Sequence, residues 1–171
     1  MNTERLGPVS YLILGLLVKE RGLTPYDMKK RSEGALGAIW SFPHAQLYSE
    51  PTRLVELGLL NETRELEGRR RRTFNITTAG RKVFKMWLSD VVVKPPEIRN
   101  LALLKLFFAE AIPDDPMSLL ATSQIDLHAA TLQVLNSLDQ DRLSKGEAAL
   151  VRLGITINQA YVDFWRTEFK E

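Results

Sequence analysis

The sequence contains no cysteine. Disulfides and thiolate metal sites are therefore excluded, and a reducing cytoplasm is the expected compartment. Histidine is almost as scarce, with only His44 and His128. No Ser-His-Asp order, phosphate loop or metal-ligand spacing stands out. Asp114, Asp115, Asp139 and Asp141 form no catalytic set, since the first pair sits between prolines and the second reads as a solvated face. The expectation is a protein that is not an enzyme and needs no cofactor or metal. Long hydrophobic runs are missing too. The stretch Leu12–Val18 is far short of the about 20 residues that span a bilayer. It has no basic segment before it and no cleavage site after it, so neither a membrane role nor a secretory signal is expected.

What is present is ordinary globular material: 171 residues, 44% hydrophobic and 26% charged. That length suits one domain or two small ones. The charge is unevenly spread. Residues 1–90 carry a net +5 and residues 91–171 a net −3. Such asymmetry suggests a front half that meets a polyanion and a back half with another task.

Along the chain, Gly7-Pro8 opens a first helix with Val9, Leu12, Ile13, Leu16 and Leu17 at helical spacing, and Gly22 closes it. Thr24-Pro25 opens a second helix, with Thr24 as cap and Asp27 in the favourable first turn; Gly34 to Gly37 reads as a turn. A third helix is expected from about Pro43 to Leu57, with Ser41 as cap candidate and Leu47, Leu54 and Val55 on one face. Gly58 stops it. Two strand-like runs follow, Leu59–Leu66 and Arg71–Thr77, joined by a turn at Glu67-Gly68-Arg69-Arg70. Thr77 or Thr78 then caps a fourth helix to about Asp90, with Val83, Trp87 and Leu88 inward. Pro95-Pro96 marks a connection. Beyond it helices are expected over Glu97–Ala111, over Met117 to about Lys145, and in a last segment. That segment's stripe is Leu150, Leu153, Ile157, Ala160, Tyr161, Phe164 and Trp165.

The order helix, helix, turn, helix, hairpin, helix is that of a winged helix-turn-helix. Its third helix can enter a major groove about 12 Å wide while the hairpin brings charge to flanking phosphates. Arg69, Arg70, Arg71 and Arg72 lie at and just after the hairpin tip. Cations there release counterions on meeting phosphate. The plainer reading of the same run is a solvated turn.

Leu47-Tyr48, Leu54, Leu57-Gly58-Leu59-Leu60, the basic hairpin and Thr77 with Ala79-Gly80-Arg81 resemble the PadR family of bacterial transcriptional regulators. Arg99-Asn100 and Leu104-Lys105-Leu106-Phe107-Phe108 resemble the helical back half of its longer subfamily, which includes virulence-gene activators. The resemblance implies a homodimer on a pseudo-palindromic operator in double-stranded DNA, more in keeping with a repressor than an activator. By the same resemblance Tyr48 is the tyrosine of the recognition helix, and His44, Gln46, Ser49, Thr52 and Arg53 are the polar positions around it. Gln46 and Arg53 have side chains able to read adenine or guanine edges bidentately. His44 is a phosphate donor or a plain surface residue. Pro51 departs from the family's apolar helix former. Either it bends the recognition helix, or the stable helix begins near Glu50 with Pro51 in its first turn.

The expected architecture is mainly α with a small β-hairpin: a winged helix-turn-helix over 1–90, a linker at 91–96 and an all-helical dimerisation domain over 97–171. Leu101, Leu104, Phe107, Phe108, Leu120, Leu127, Val134, Leu135, Leu138 and the aromatics from Tyr161 to Phe169 lie on several faces. Burying Leu or Phe is worth about 1.5–3 kcal/mol each, and a two-fold interface is the usual way to cover such surplus. Trp165 with Tyr161 reads either as core or dimer interface, or, by the resemblance, as an aromatic site for a small-molecule effector. His128 reads as a polar interface residue. The competing functional reading is a winged helix that binds protein instead of DNA.

Overall fold

The structure is a computed structural model and describes residues 6–37, 39–40, 42–65, 71–91, 98–111 and 117–169. It divides into two compact units, Met1–Val93 and Lys94–Glu171. Apart from Val91, the linker expected at 91–96 lies outside the described residues.

The first unit contains α1 (Pro8–Lys19), α2 (Pro25–Gly37), α3 (His44–Glu56), β1 (Leu60–Arg64), β2 (Arg72–Ile76) and α4 (Thr78–Leu88). Its core gathers one apolar face from each element. Val9, Ile13, Leu14 and Leu17 come from α1, Met28 from α2, Leu47 and Leu54 from α3, Leu60 and Phe74 from the hairpin, and Val83 from α4. Helix α2 runs on to Gly37 through a non-helical Gly34, so the expected turn is a kink. At its start the Thr24 N–H and hydroxyl donate to Asp27 Oδ2 at 2.9 and 2.6 Å, and the Asp27 N–H donates back to Thr24 Oγ1 at 3.1 Å.

Helix α3 settles the alternatives left open by Pro51. It begins at His44 and continues through Pro51 to Glu56, so a start near Glu50 is excluded. Pro51 lies on the buried face with Leu47 and Leu54. Its ring packs into the core, and helical neighbours on both sides hold the segment together. Pro43 occupies the cap position without a side-chain cap bond, and Ser41 lies outside the described residues. The helix closes with Leu59 N–H on Leu54 O at 2.9 Å and Gly58 N–H on Val55 O at 2.9 Å. Gly58 has φ +70° there, the left-handed turn that suits glycine.

The hairpin is antiparallel with Leu60 opposite Ile76 and Glu62 opposite Phe74. Phe74 N–H also donates to Leu23 O at 2.9 Å, so β2 pairs on its other side with the α1–α2 link. Thr77 caps α4 by accepting from Gly80 N–H at 3.0 Å. Val83 is buried as expected, but Leu88 is 66% exposed. Trp87 is half exposed and stacks on Tyr11 at 4.5 Å between ring centroids. The end of α4 therefore extends past the core that its first two turns pack on.

The second unit contains α5 (Leu101–Phe107), α6 (Met117–Asn136) and α7 (Lys145–Glu168), with 3-10 turns at Ala109–Ala111 and Gln140–Arg142. Asn100 caps α5 by accepting from Ala102 N–H, which delays the helix expected from Glu97. Helix α6 stops at Asn136 instead of reaching Lys145. At its end the Ser137 hydroxyl donates to Val134 O at 2.8 Å, Asp139 caps the 3-10 turn that follows, and Ser144 and Glu147 then form a reciprocal capping box for α7. Gly146 sits in that first turn and interrupts nothing. Ala121 shares a cluster with Trp165, and His128 bonds Asn158, so α6 and α7 run antiparallel. The buried stripe of α7 is Val151, Gly154, Asn158, Val162 and Trp165. Leu153, Ile157 and Phe164, expected inward, are exposed. The apolar residues of α7 occupy two faces, and the buried one combines Val151, Val162 and Trp165 with the small Gly154.

Candidate nucleic-acid interface

Helix α3 is two-sided. Leu47, Pro51 and Leu54 face the core, while His44, Gln46, Tyr48 and Ser49 are exposed, Tyr48 to 49%. Thr52 and Arg53 are half-buried and both are engaged. Arg53 grips Glu50 with Nε at 2.8 Å from Oε2 and Nη2 at 2.5 Å from Oε1. The same Nη2 reaches Ser10 Oγ on α1 at 3.2 Å. Ser10 donates to Glu50 at 2.5 Å and accepts from Gly7 N–H at 3.1 Å, so this buried hydroxyl uses its donor and both lone pairs. Burial pushes Glu50 up, yet the bonds from Arg53 and Ser10 outweigh it and hold the carboxyl below its usual range. This network locks α3 to α1. It also turns Arg53 toward α1, away from the row of exposed polar residues in which sequence reasoning placed it.

The arginine run of the wing divides. Arg69 and Arg70 lie outside the described residues. Arg71 Nη2 donates to Asp27 Oδ2 at 3.1 Å, at the carboxylate that already starts α2. The Thr24 hydrogen bonds and then Arg71 lower the Asp27 pKa. Arg72 forks onto Glu62, with Nε at 2.7 Å from Oε1 and Nη2 at 3.0 Å from Oε2. The same Nη2 donates to Thr52 Oγ1 of α3 at 2.9 Å, and the guanidinium lies 5.4 Å over the Phe74 ring. Arg64 joins Glu62 as well. With Arg72 and Arg64 both bonded to it, the Glu62 carboxyl falls to about 2. Sequence reasoning missed Glu62. The signal was available, because strand residues two apart share a face and the register puts Glu62, Arg64, Arg72 and Phe74 on one side.

In the second unit Trp165 is buried among Leu103, Leu106, Leu120, Ile125 and Phe169. His128 stacks on Tyr161 with centroids 4.4 Å apart. Asn158 donates through Nδ2 to Gly154 O at 2.8 Å, which turns its Oδ1 to His128 Nδ1 at 2.7 Å. With Oδ1 as the acceptor, Nδ1 carries the proton of this bond, which leaves Nε2 as the other ring nitrogen. Neither that Nε2 nor the Trp165 Nε1–H has a hydrogen-bond partner among the described residues. His128 thus joins α6 to α7 within the unit.

The transcriptional regulator PadR-like family matches residues 13–86, and the virulence activator alpha C-terminal family matches residues 98–167. The chain thus carries a PadR-like region followed by a virulence-activator-like C-terminal region, in that order. A curated PadR-like relative, the negative transcriptional regulator PadR of Bacillus subtilis, is 26% identical over 141 residues, covering 81% of this chain and 77% of that protein. Its crystal structure with operator DNA superposes with a TM-score of 0.81 at 23% identity, over 94% of this chain and 96% of the other. The same protein with p-coumaric acid gives 0.74 at 23% identity over 94% and 96%. The virulence activator AphA of Vibrio cholerae gives 0.72 at 22% identity, over 93% and 94%. These structures share the winged helix with its helical C-terminal region. PadR-like architecture thus accounts for both units, and no described helix is long and apolar enough to cross a membrane.

Proposed function

We propose that the chain is a cytoplasmic DNA-binding repressor, not an enzyme, that acts as a homodimer on a pseudo-palindromic operator. Residues 1–90 bind DNA, 91–96 link, and 97–171 dimerise. The observation that carries this reading is α3, which presents His44, Gln46, Tyr48 and Ser49 outward while its opposite face is anchored in the core. A helix so mounted fits a major groove. Gln46 is then the residue suited to a bidentate adenine contact, and Arg69 and Arg70 supply phosphate contacts from the wing. The names of the relative, a negative regulator solved with operator DNA, favour the same reading.

Duplexes selected from random DNA by the purified protein supply the test. Binding should weaken steeply with salt. Arg69→Ala with Arg70→Ala should weaken all duplexes alike, whereas Gln46→Ala should change which duplexes are preferred. Recovery of a stoichiometric protein partner with no DNA bound at low salt would favour the protein-interaction reading instead.

A second reading concerns the helical unit. The unpartnered Nε2 of His128 and the indole N–H of Trp165, beside Tyr161, support a small-molecule effector site there. The relative solved with p-coumaric acid suggests that compound as a probe. Its addition should release DNA from the wild type and not from Trp165→Phe; equal release from both would remove Trp165 from the effector's path.

A further inference from the structure

A basic hairpin is ordinarily counted as so many phosphate contacts, one per arginine. The geometry divides this run differently. Arg72 is consumed from within: its Nε and Nη2 fork onto Glu62, the same Nη2 bonds Thr52 on α3, and its plane covers Phe74. Glu62 is only 14% exposed, so this pair is screened less than an open surface pair. A bidentate carboxylate also fixes the guanidinium in direction as well as in place. Arg71 makes a second tie, to the Asp27 carboxylate that starts α2. The wing is thereby fastened to both helices of the helix-turn-helix.

We propose that Glu62 is a positioning residue that withholds Arg72 from the DNA phosphates and makes it a strut between the wing and α3. The strut fixes the offset between wing and recognition helix. A fixed offset demands that groove and backbone contacts occur in one register, which a matched duplex satisfies and a random one does not. Glu62 thus exchanges one cation's worth of indiscriminate affinity for discrimination. This inference rests on the DNA-binding reading above.

The test uses the full-length protein and fluorescence anisotropy on two duplexes, one selected from random DNA and one scrambled. Each is titrated from 50 to 200 mM salt, roughly the range over which phosphate contacts dominate. Each phosphate neutralised adds about 0.9 to the slope of log affinity against log salt. Glu62→Gln should release Arg72. The scrambled duplex should then bind several-fold tighter, the slope should steepen by at least about 0.9, since Arg64 is freed from the same carboxylate, and the preference for the selected duplex should fall. Glu62→Asp, which keeps the charge, should return the slope to the wild-type value. Arg72→Gln gives the complementary reading: an unchanged slope with reduced preference. A slope that falls by about 0.9 in Arg72→Gln would make Arg72 an ordinary phosphate contact and overturn the proposal. An unchanged slope and preference in a folded Glu62→Gln variant would overturn it equally. Should that variant not fold, Arg72→Gln decides alone. Wild-type protein that binds neither duplex would instead sink the DNA-binding reading on which the proposal stands.

Discussion

Three carboxylates of the first unit, Asp27, Glu50 and Glu62, each serve two neighbours. Asp27 starts α2 and holds Arg71; Glu50 ties α3 to α1 through Arg53 and Ser10; Glu62 holds Arg72 and Arg64. Glu62 gives a pH prediction. Its folded pKa of about 2 lies below its ordinary 4.5. A depressed carboxylate stabilises the fold fully above the ordinary value and loses that contribution as pH falls through the folded one. Thermal midpoints should therefore show wild type above Glu62→Gln at pH 6, with the gap closing between about pH 4.5 and 2. A gap that persists unchanged to pH 2 would remove the ion pair as its source. The capping role of Asp27 was legible because its partner is three residues away. Its ion pair with Arg71 was not, since that partner lies 44 positions along the chain and only the tertiary fold brings the two together.

Two junctions can be tested at the level of elements. Pro51 removes a backbone donor within α3, a defect worth about 3 kcal/mol, while its buried ring contributes about 0.8 kcal/mol per methylene. The backbone defect is the larger, so Pro51→Ala should stabilise the protein by about 1 kcal/mol in a denaturant titration; destabilisation would mean that the ring's packing dominates. Gly80 marks a close approach of α4 to the start and end of the hairpin. A Cβ there would sit 2.3 Å from Leu59 O and 2.8 Å from Ile76 Cγ1, so Gly80→Ala should cost about 3 kcal/mol. At Gly58 a Cβ meets open space and only the positive φ opposes it, so Gly58→Ala should cost about 1 kcal/mol. The reverse order would contradict the packing described. The first four helices and the hairpin were legible because caps, glycines and apolar periodicity agreed. The break between α6 and α7 was legible, but it was expected near Lys145 and α6 already ends at Asn136. Ser144, which opens the α7 capping box, lay within the stretch expected as the earlier helix, and the two apolar faces of α7 blurred the phase of its stripe.

Across the whole molecule, net charge separates by unit, while exposed apolar residues occur in both. The first unit holds the positive excess, and the second exposes Leu101, Leu104, Phe107 and Phe108 on and beside α5 and Leu153 and Ile157 on α7. Phe107 alone is 80% exposed. Such a surface calls for a second copy under the proposed function. Leu153→Glu with Ile157→Glu should give a monomer by sedimentation and lose operator affinity more than affinity for scrambled DNA; an unchanged dimer would move the interface elsewhere. The surplus of apolar residues was legible in composition, but which of them face outward required the helix pairing. The central claim, that a helix mounted on a strutted wing reads a two-fold operator, is tested most directly by sequencing the DNA that the full-length protein selects from a random pool and titrating the winners with salt. The account predicts a motif of two inverted half-sites about one helical turn apart, bound with an affinity that falls steeply as salt rises. A pool without an enriched motif, or binding indifferent to salt, would contradict it.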